Sequence, residues 1–327
     1  MNPEYAYTDA ELQAVFDSLA VTLFDKTRDI GADGQLAPKL LIVAGAQGSG
    51  KTYLLENSLL PGDAYGNYVR LYLPAYRALH PRYQQMREQG VLQVYAHTEP
   101  FIWALGAKLF GYALQNRYNI ILESALDSAE FASFPATAVA LGYRFEVHLI
   151  ACQKEFSHWS TLHRGVKAVG EDAFERFVPL SSIETSQGNA RAILDAFENA
   201  CMHSPGSEIT LYHRGFETGM DSKALCHSRC EAPSELAPQP DFKGQPFVLA
   251  PQFNPRFEIV RSAQANFPCS YLQYSQVVHA GMVEPSIRQQ MVQRCCQTLD
   301  KAQALMPRIP ASVFRELSLY VLKYMHP

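Results

Sequence analysis

The sequence lacks the features of a membrane or secreted protein. No uninterrupted apolar run approaches the ~18 residues that a membrane-spanning helix needs. The first residues include Glu4, Asp9 and Glu11 where a secretion signal would have a basic start and an apolar core. We therefore expect no membrane association and a cytoplasmic site of action, either in the cell that makes the protein or in a target cell into which it is delivered.

A long basic run is also missing. The chain has 28 basic and 32 acidic residues, for a formal net charge of −4. Broad binding to nucleic acid or to an anionic membrane depends on clustered positive charge. The composition thus argues against both partner classes and favours small-molecule substrates.

Cysteine usage provides neither a disulfide framework nor a convincing metal site. The chain has seven cysteines, an odd number for its 327 residues. The stretch "CHSRC", Cys226–Cys230, resembles half of a metal site together with His203 or His213, but a second spaced pair is missing. Cys295 and Cys296 are neighbours in a helical pattern and face different directions. We interpret these cysteines mainly as packing residues.

What the sequence does contain is "GAQGSGKT", Gly45–Thr52, a complete Gly-x-x-x-x-Gly-Lys-Thr motif. The apolar run Leu40–Ala44 precedes it and Tyr53–Glu56 follows, so a buried strand leads into the loop and a helix leaves it. That context distinguishes a phosphate-binding loop from an incidental glycine-rich turn. Its glycines allow positive φ angles, so that successive amide hydrogens point at an anion.

Each residue of the motif has an expected role. Lys51 reaches the β and γ phosphates, and the Thr52 hydroxyl is the expected ligand of Mg²⁺. The full set of predicted nucleotide-binding residues is Gly45, Gly48, Ser49, Gly50, Lys51 and Thr52.

Strands and helices alternate around this loop. A capping box, Thr8 with Glu11, opens a helix that runs to Phe24. The predicted strands are Leu40–Ala44, Asn67–Leu73, Tyr118–Ser124, Phe145–Cys152 and Glu208–Gly215, and the predicted helices between them cover about Pro81–Gln89, Glu99–Gln115, Ala129–Leu141 and Ile183–Cys201. This order predicts an α/β fold of the P-loop NTPase type, with a parallel sheet covered by helices on both faces. Ligands then gather at the carboxyl ends of the strands.

The composition changes after Cys230. The segment Glu231–Phe257 is rich in proline and is predicted to be a linker or wrapping arm. One predicted helix starts at Pro285 and stops before Pro307, and another covers Ala311–Tyr324. We therefore divide the chain into a leading helix (1–38), a P-loop domain (39–230), and a proline-rich arm with a small helical annex (231–327).

Several segments after the P-loop resemble the zeta-toxin family of P-loop kinases, over about residues 8–215. The similar segments, in family order, are "RALHPRY" (Arg77–Tyr83), "YNIILESAL" (from Tyr118), "TLHRG" (with Arg164), "RFVP" (with Arg176) and "EITLYHRG" (from Glu208). The resemblance implies ATP-dependent phosphorylation of a hydroxyl on a nucleotide-like metabolite, such as a UDP-sugar or an NAD-like acceptor. It also implies a toxin or effector role, with an antitoxin or chaperone protein as a candidate partner.

The resemblance assigns catalytic roles to Lys51, Arg164 and Arg176, because the guanidinium groups stabilise the charge of the transferring phosphoryl group. Glu123 ends an apolar strand on the ligand side of the sheet. We expect it to contact the acceptor hydroxyl or a water bound to Mg²⁺. The pair His80 and Tyr83 we interpret as a turn that caps a helix.

One departure from the family pattern affects the mechanism. Pro74 stands where the family carries its catalytic aspartate, three residues before Arg77, and Ser124-Ala125 replaces a Gly-Thr pair. Three interpretations of the mechanism stay open. The base comes from elsewhere, with Asp127, Glu123 and His97 as candidates; the acceptor is anionic and needs no base; or the chain is a nucleotide-binding pseudokinase. In the first reading, Asp127 takes the proton and Glu123 binds the acceptor.

Overall fold

A computed structural model describes residues 3–171, 173, 175–249 and 271–325. In this part of the chain the strands are β1 (Lys39–Ala44), β2 (Tyr68–Leu71), β3 (Asn119–Ser124), β4 (Arg144–Ala151), β5 (Glu208–His213), β6 (Lys223–Arg229) and β7 (Ala237–Pro238). The α-helices there are α1 (Asp9–Leu23), α2 (Lys51–Leu54), α3 (Tyr83–Gln89), α4 (Val91–Gln115), α5 (Phe134–Ala140), α6 (Lys154–Gly170), α7 (Leu180–Met202), α8 (Tyr271–Val278), α9 (Pro285–Ala304) and α10 (Ala311–Met325).

The strands form one seven-stranded sheet in the order β2-β3-β1-β4-β5-β6-β7. Pairing is parallel from β2 to β5, and β6 and β7 extend the edge in antiparallel fashion. The predicted parallel sheet is therefore confirmed, with an antiparallel edge that the sequence did not indicate. The P-loop follows β1, which is the central strand of the parallel part, so its phosphate site opens at the carboxyl edge of the sheet.

Both faces of the sheet are buried, as the near-continuous apolar strands indicate. In β1, Leu40 and Ile42 belong to one core cluster, whereas Leu41 and Val43 belong to the other. Helices α1, α4, α5, α7 and α8 cover the first face, and α2, α6, α9 and α10 cover the second. The P-loop is thus held between two packed layers.

Several helices differ from their predicted form. The capping box at Thr8 and Glu11 is present as predicted. Helix α4 begins at Val91 rather than at Glu99 and contains Pro100, and the segment predicted as one helix after Ala129 is a 3-10 turn followed by α5. Helix α6 was not predicted at all. Its consecutive residues from Phe156 to Trp159 are all buried, and its exposed face begins only after them, with Arg164 and Lys167.

The C-terminal helices pack directly on α6. The Trp159 indole N–H donates to Thr298 Oγ1 at 3.2 Å, and His158 Nδ1 lies 2.6 Å from the Tyr320 hydroxyl. The first part of the predicted proline-rich arm lies along the sheet edge, where β7 pairs with β6. The remainder of the arm, 250–257, lies outside the described residues. In the described part of the chain, none of the helices combines the length and the hydropathy that crossing a membrane requires.

Candidate active site

The P-loop leaves β1 at Gly45 and enters α2 at Lys51. Gly48 and Gly50 have φ angles of +81° and +86°, a conformation that side chains disfavour. A Cβ atom at Gly48 would lie 2.2 Å from the carbonyl oxygen of Ser157, so α6 packs against the bare backbone of the loop. The sequence therefore needs glycine here both for the backbone conformation and for the close approach of α6.

Lys51 folds over the loop that it belongs to. Its Nζ donates to the carbonyl oxygens of Gly45 at 2.7 Å and Ala46 at 3.0 Å. Burial lowers the pKa of Lys51 to about 8. The Arg164 cation also lowers this pKa, whereas the Glu123 and Asp127 carboxylates raise it. Three of the other four side chains predicted to be catalytic are therefore close enough to affect the pKa of Lys51.

Thr52 and Glu123 meet at the side of the P-loop. In the parallel pairing of β1 with β3, Val43 lies opposite Glu123, which brings this carboxylate beside the start of the loop. The Thr52 hydroxyl donates to Glu123 Oε2 at 2.7 Å. A hydroxyl and a carboxylate are the hard oxygen donors that Mg²⁺ takes, and Mg²⁺ usually completes its shell with waters and substrate phosphates. These residues therefore fit the ion that the motif predicts.

Glu123 is also paired on its other oxygen. Arg70 Nη2 lies 3.3 Å from Glu123 Oε1 and 3.0 Å from Glu56 Oε1. Both oxygens of Glu123 are therefore engaged, one by Thr52 and the other by Arg70.

Asp127 is exposed and follows a strained residue. Leu126 is 1% exposed and has a φ of +60°, a conformation that costs a leucine roughly 1–3 kcal/mol. Two contacts hold it: its carbonyl accepts from Asn189 Nδ2 at 3.0 Å, and its amide donates to Ser124 Oγ at 3.3 Å. This kink turns the chain so that the charge of Asp127 acts on Lys51. Strain of this kind clusters at functional sites.

Arg164 projects from α6 toward the same region. Its Nε lies 3.1 Å from Glu175 Oε2, and its Nη2 donates to Glu175 Oε1 at 3.2 Å. The side chain is 54% exposed. A two-point pair fixes the guanidinium plane, and Glu175 therefore orients the arginine beside Lys51.

Arg176 lies next to Glu175 in sequence and reaches α4. Its guanidinium is 5.8 Å from the centre of the Tyr95 ring and its Nη1 is 4.0 Å from Glu99 Oε1. Arg77 contacts the same two residues at shorter distances. Its Nη2 lies 2.6 Å from Glu99 Oε2, and its guanidinium lies 4.3 Å from the centre of the Tyr95 ring. Arg164 also acts on the pKa of Tyr95, which burial raises. The two predicted arginines thus both lie near Tyr95.

No acidic side chain stands at position 74, where the family pattern has its catalytic aspartate. Pro74 is exposed on a 3-10 turn, Leu73–Leu79, between β2 and α3. Of the candidate bases, His97 packs its ring against Tyr5 at 4.9 Å, on a different face of α4 from Tyr95. The contact of His97 is thus with Tyr5, whereas the other two candidate bases, Glu123 and Asp127, both act on the pKa of the P-loop residue Lys51.

His80 has a structural role, as its interpretation as a turn residue implies. It is 3% exposed, its Nδ1 accepts from the Arg82 amide at 3.0 Å, and its ring contacts Phe101 at 4.9 Å. Burial lowers the pKa of His80 to about 4, so the ring is neutral at pH 7.

Sequence reasoning missed the residues that support the charged groups. These are Arg70, Arg77, Tyr95, Glu99, Glu175 and Asn189. Only Arg77 had a detectable signal, because it belongs to the "RALHPRY" segment. The others come from separate elements and meet only in the folded chain.

Comparison with known families matches residues 24–217, more than half of the chain, to the Zeta toxin family. Toxin PezT of Streptococcus pneumoniae is 27% identical over 159 residues, a match that covers 48% of this chain and 60% of PezT. The chain thus matches less than two thirds of that relative's length. These matches confirm the family resemblance.

Solved structures share the fold. The PezAT chromosomal toxin-antitoxin system of Streptococcus pneumoniae superposes with a TM-score of 0.52 at 21% identity, covering 67% of this chain and 82% of the other. The AvrRxo1-ORF1:AvrRxo1-ORF2 complex with sulphate ions gives 0.54 at 12% identity, over 95% of this chain and 88% of the other, and the same pair with ATP gives 0.53. At such identities the likeness concerns the fold, and it confirms the predicted fold class.

Proposed function

Since the chain belongs to the Zeta toxin family, we propose that it is a kinase that transfers the γ-phosphate of ATP to a nucleotide-like small metabolite. One observation carries the proposal: Glu123 and Asp127 at the end of β3 and Arg164 on α6 all act on the charge of Lys51. A loop that holds phosphate and a set of charged groups facing it are what phosphoryl transfer requires.

In this proposal the P-loop amides and Lys51 bind the β and γ phosphates of ATP. Thr52 and Glu123 hold Mg²⁺, directly or through water, and bound Mg²⁺ would neutralise charge on the phosphate oxygens. Arg164 and Arg176 stabilise the charge that spreads over the transferring phosphoryl group. Glu175 orients Arg164 before the substrate arrives.

The transfer breaks the bond between the γ-phosphorus and its bridging oxygen and forms a bond from the acceptor oxygen to that phosphorus. ADP leaves with the electron pair of the broken bond. If the acceptor is a hydroxyl, its proton passes to Asp127, which takes the place of the family aspartate absent at Pro74. If the acceptor is a phosphate or a carboxylate, no proton transfer is needed.

The acceptor is a UDP-sugar or an NAD-like metabolite in this proposal. The support is chemical: Arg77 and Arg176 supply two cations for a phosphate-bearing molecule, and Tyr95 supplies an aromatic face between them. An antitoxin or chaperone protein is the proposed protein partner, because relatives with this fold come from a toxin-antitoxin system and from a two-protein complex.

A nucleotide-binding pseudokinase is the second candidate function, and the exposed proline at the family's aspartate position favours it. The two functions differ in turnover. The test is to incubate the purified chain with γ-labelled ATP, Mg²⁺ and a small-molecule extract, and to separate the labelled products by chromatography.

The proposed kinase gives a labelled product that Lys51→Ala abolishes and that the matched surface variant Lys167→Ala retains, since Lys167 is 66% exposed on α6. Binding of ATP without any labelled product, and with ATP turnover equal to that of Lys51→Ala, supports the pseudokinase instead.

A further inference from the structure

Arg214, which directly follows β5, ties the P-loop to another part of the chain. Its Nη1 donates to the Gly48 carbonyl at 3.2 Å, and its Nε donates to the Met220 carbonyl at 2.8 Å in the connection between β5 and β6. Its own backbone amide donates to the Ala151 carbonyl at 3.0 Å, at the end of β4. The residue therefore links the phosphate-binding loop to the connection after β5 through its side chain, and to the end of β4 through its backbone.

The packing around Arg214 fixes its guanidinium. The group lies 5.2 Å from the centre of the Phe156 ring, and Phe156 is fully buried. On its other side, a Cβ atom added at Gly50 would lie 2.9 Å from Arg214 Nε. The arginine is thus held between α6 and the P-loop, with little room to move.

These contacts hold one peptide group of the P-loop from both ends. The carbonyl of the peptide between Gly48 and Ser49 accepts from Arg214, and its N–H donates to the Ala46 carbonyl at 3.1 Å. Because a peptide group is planar, fixing both ends fixes its orientation. This fixed plane directly precedes the amides of Gly50 and Lys51 in the loop.

The charge of Arg214 also belongs to the phosphate site. Cys152 Sγ lies 3.8 Å from the Ser49 carbonyl, beneath the loop. Burial raises the pKa of the Cys152 thiol to about 11, and both Arg214 and Lys51 act against that rise. Arg214 therefore adds positive charge to the region that is to hold the phosphates.

We propose that Arg214 is a positioning residue that keeps the P-loop in its phosphate-binding shape by donating a hydrogen bond to the Gly48 carbonyl. It acts through the loop backbone. The inference rests on the proposed function in one respect, namely that the ligand is the triphosphate of ATP.

The test compares three variants of the full chain. Arg214→Met removes the charge and the donors but keeps an unbranched side chain against Phe156. Arg214→Lys keeps the charge but cannot reproduce the two hydrogen bonds of the guanidinium to Gly48 and Met220. The matched control is Arg229→Met, an exposed arginine of β6 that pairs opposite Glu208 at the far end of β5. The measurements are ATP affinity by calorimetry and amide hydrogen exchange of residues 45–52 without nucleotide.

We expect Arg214→Met to weaken ATP binding by about 10- to 100-fold, the effect of losing a hydrogen bond from a charged donor. Exchange of the 45–52 amides rises while exchange in β1 and β4 stays at the wild-type rate. In both measurements we expect Arg214→Lys to lie between the wild type and Arg214→Met, and Arg229→Met to match the wild type.

Wild-type affinity and wild-type exchange at 45–52 in Arg214→Met overturn the proposal. A uniform rise of exchange across the sheet in Arg214→Met also overturns it, because such a rise marks a general loss of stability. Full wild-type behaviour of Arg214→Lys overturns it too, because it shows that charge alone suffices. If the wild type binds ATP but transfers no phosphate, the kinase proposal fails while the affinity and exchange data still decide the role of Arg214. If the wild type binds no ATP, both proposals fail.

Discussion

The two sides of the candidate site are built in different ways. The nucleotide side is one continuous segment, Gly45–Thr52, whose backbone is packed so closely that Ser49 has no exposed surface. The proposed acceptor side is assembled from Asp127, Arg164 and Arg176, which lie on separate elements and are exposed to solvent. The first side is a closely packed backbone loop; the second is a set of charged side chains, of which Arg164 is paired with Glu175.

This difference suggests a division of labour. A rigid cradle binds phosphate equally in the ground state and in the transition state, whereas charges placed around the transferring group act mainly where new charge develops. Variants of the nucleotide side should therefore lose binding, and variants of the acceptor side should lose turnover.

The largest effect is expected from Lys51→Ala. Removing this cation leaves the phosphates without their charged donor, and we expect ATP affinity to fall about 100- to 1,000-fold and transfer to fall to background. Calorimetry and the labelled-ATP assay measure the two losses, with Lys167→Ala as the control. The cradle interpretation is wrong if a folded Lys51→Ala variant binds ATP as tightly as the wild type.

The next largest effect separates the two carboxylates after β3. With a hydroxyl acceptor, Asp127→Asn should lower kcat by roughly 10²–10⁴-fold, because the general base is lost. Glu123→Gln should instead raise the Mg²⁺ concentration needed for half-maximal rate, because it weakens the contact with Thr52. Glu130→Gln, an exposed glutamate of the same connection, is the control.

Two outcomes would change that assignment. A small loss in Asp127→Asn, with transfer still present, indicates an anionic acceptor. A wild-type rate on a hydroxyl acceptor in both Glu123→Gln and Asp127→Asn removes these carboxylates from the mechanism.

Alanine at Arg164 or Arg176 should lower kcat by about 10²–10³-fold while the KM for ATP changes little. The reason is that both arginines stabilise charge that develops during transfer. Steady-state kinetics at varied ATP concentration separate the two parameters. Arg191→Ala, on an arginine of α7 that is 74% exposed, controls for the loss of surface charge. A rise in KM with unchanged kcat would make the arginines ground-state contacts.

A smaller effect concerns the protonation of Lys51. Its pKa of about 8 in the free protein means that part of the population is neutral above pH 8. Bound phosphate favours the protonated form, so binding takes up a proton and weakens as pH rises through 8. Calorimetry near pH 8.5 in buffers of different ionisation enthalpy should detect this uptake in the wild type. Equal uptake in Lys51→Ala would assign it to another group.

The nucleotide side could be predicted from sequence because its determinants are adjacent in the chain. Glycines at Gly48 and Gly50, with Lys51 and Thr52 after them, specify a local backbone shape that needs no distant partner. The parallel sheet could be predicted for the same reason, since each buried strand is a short apolar run. Glu123 followed from this prediction, because it ends such a strand.

The acceptor side could be predicted only in part, since its supporting contacts join elements far apart in sequence. The pairs Arg77–Glu99 and Arg164–Glu175 depend on how α4, α6 and the following loop pack. Helix α6 was also missed, although Arg164 and Lys167 lie on an exposed face of it. The antiparallel strand β6, "KALCHSR", was not predicted, and its Cys226 was interpreted only as a packing residue.

The most direct test of the division of labour is the ATP affinity of one triple variant, Arg164→Ala/Arg176→Ala/Asp127→Asn, measured by calorimetry in the presence of Mg²⁺. The account predicts that this variant binds ATP within about threefold of the wild type, since its nucleotide side is intact, while it transfers no detectable phosphate. If the folded triple variant instead loses ATP binding as Lys51→Ala does, the two sides are not separate and the account is wrong.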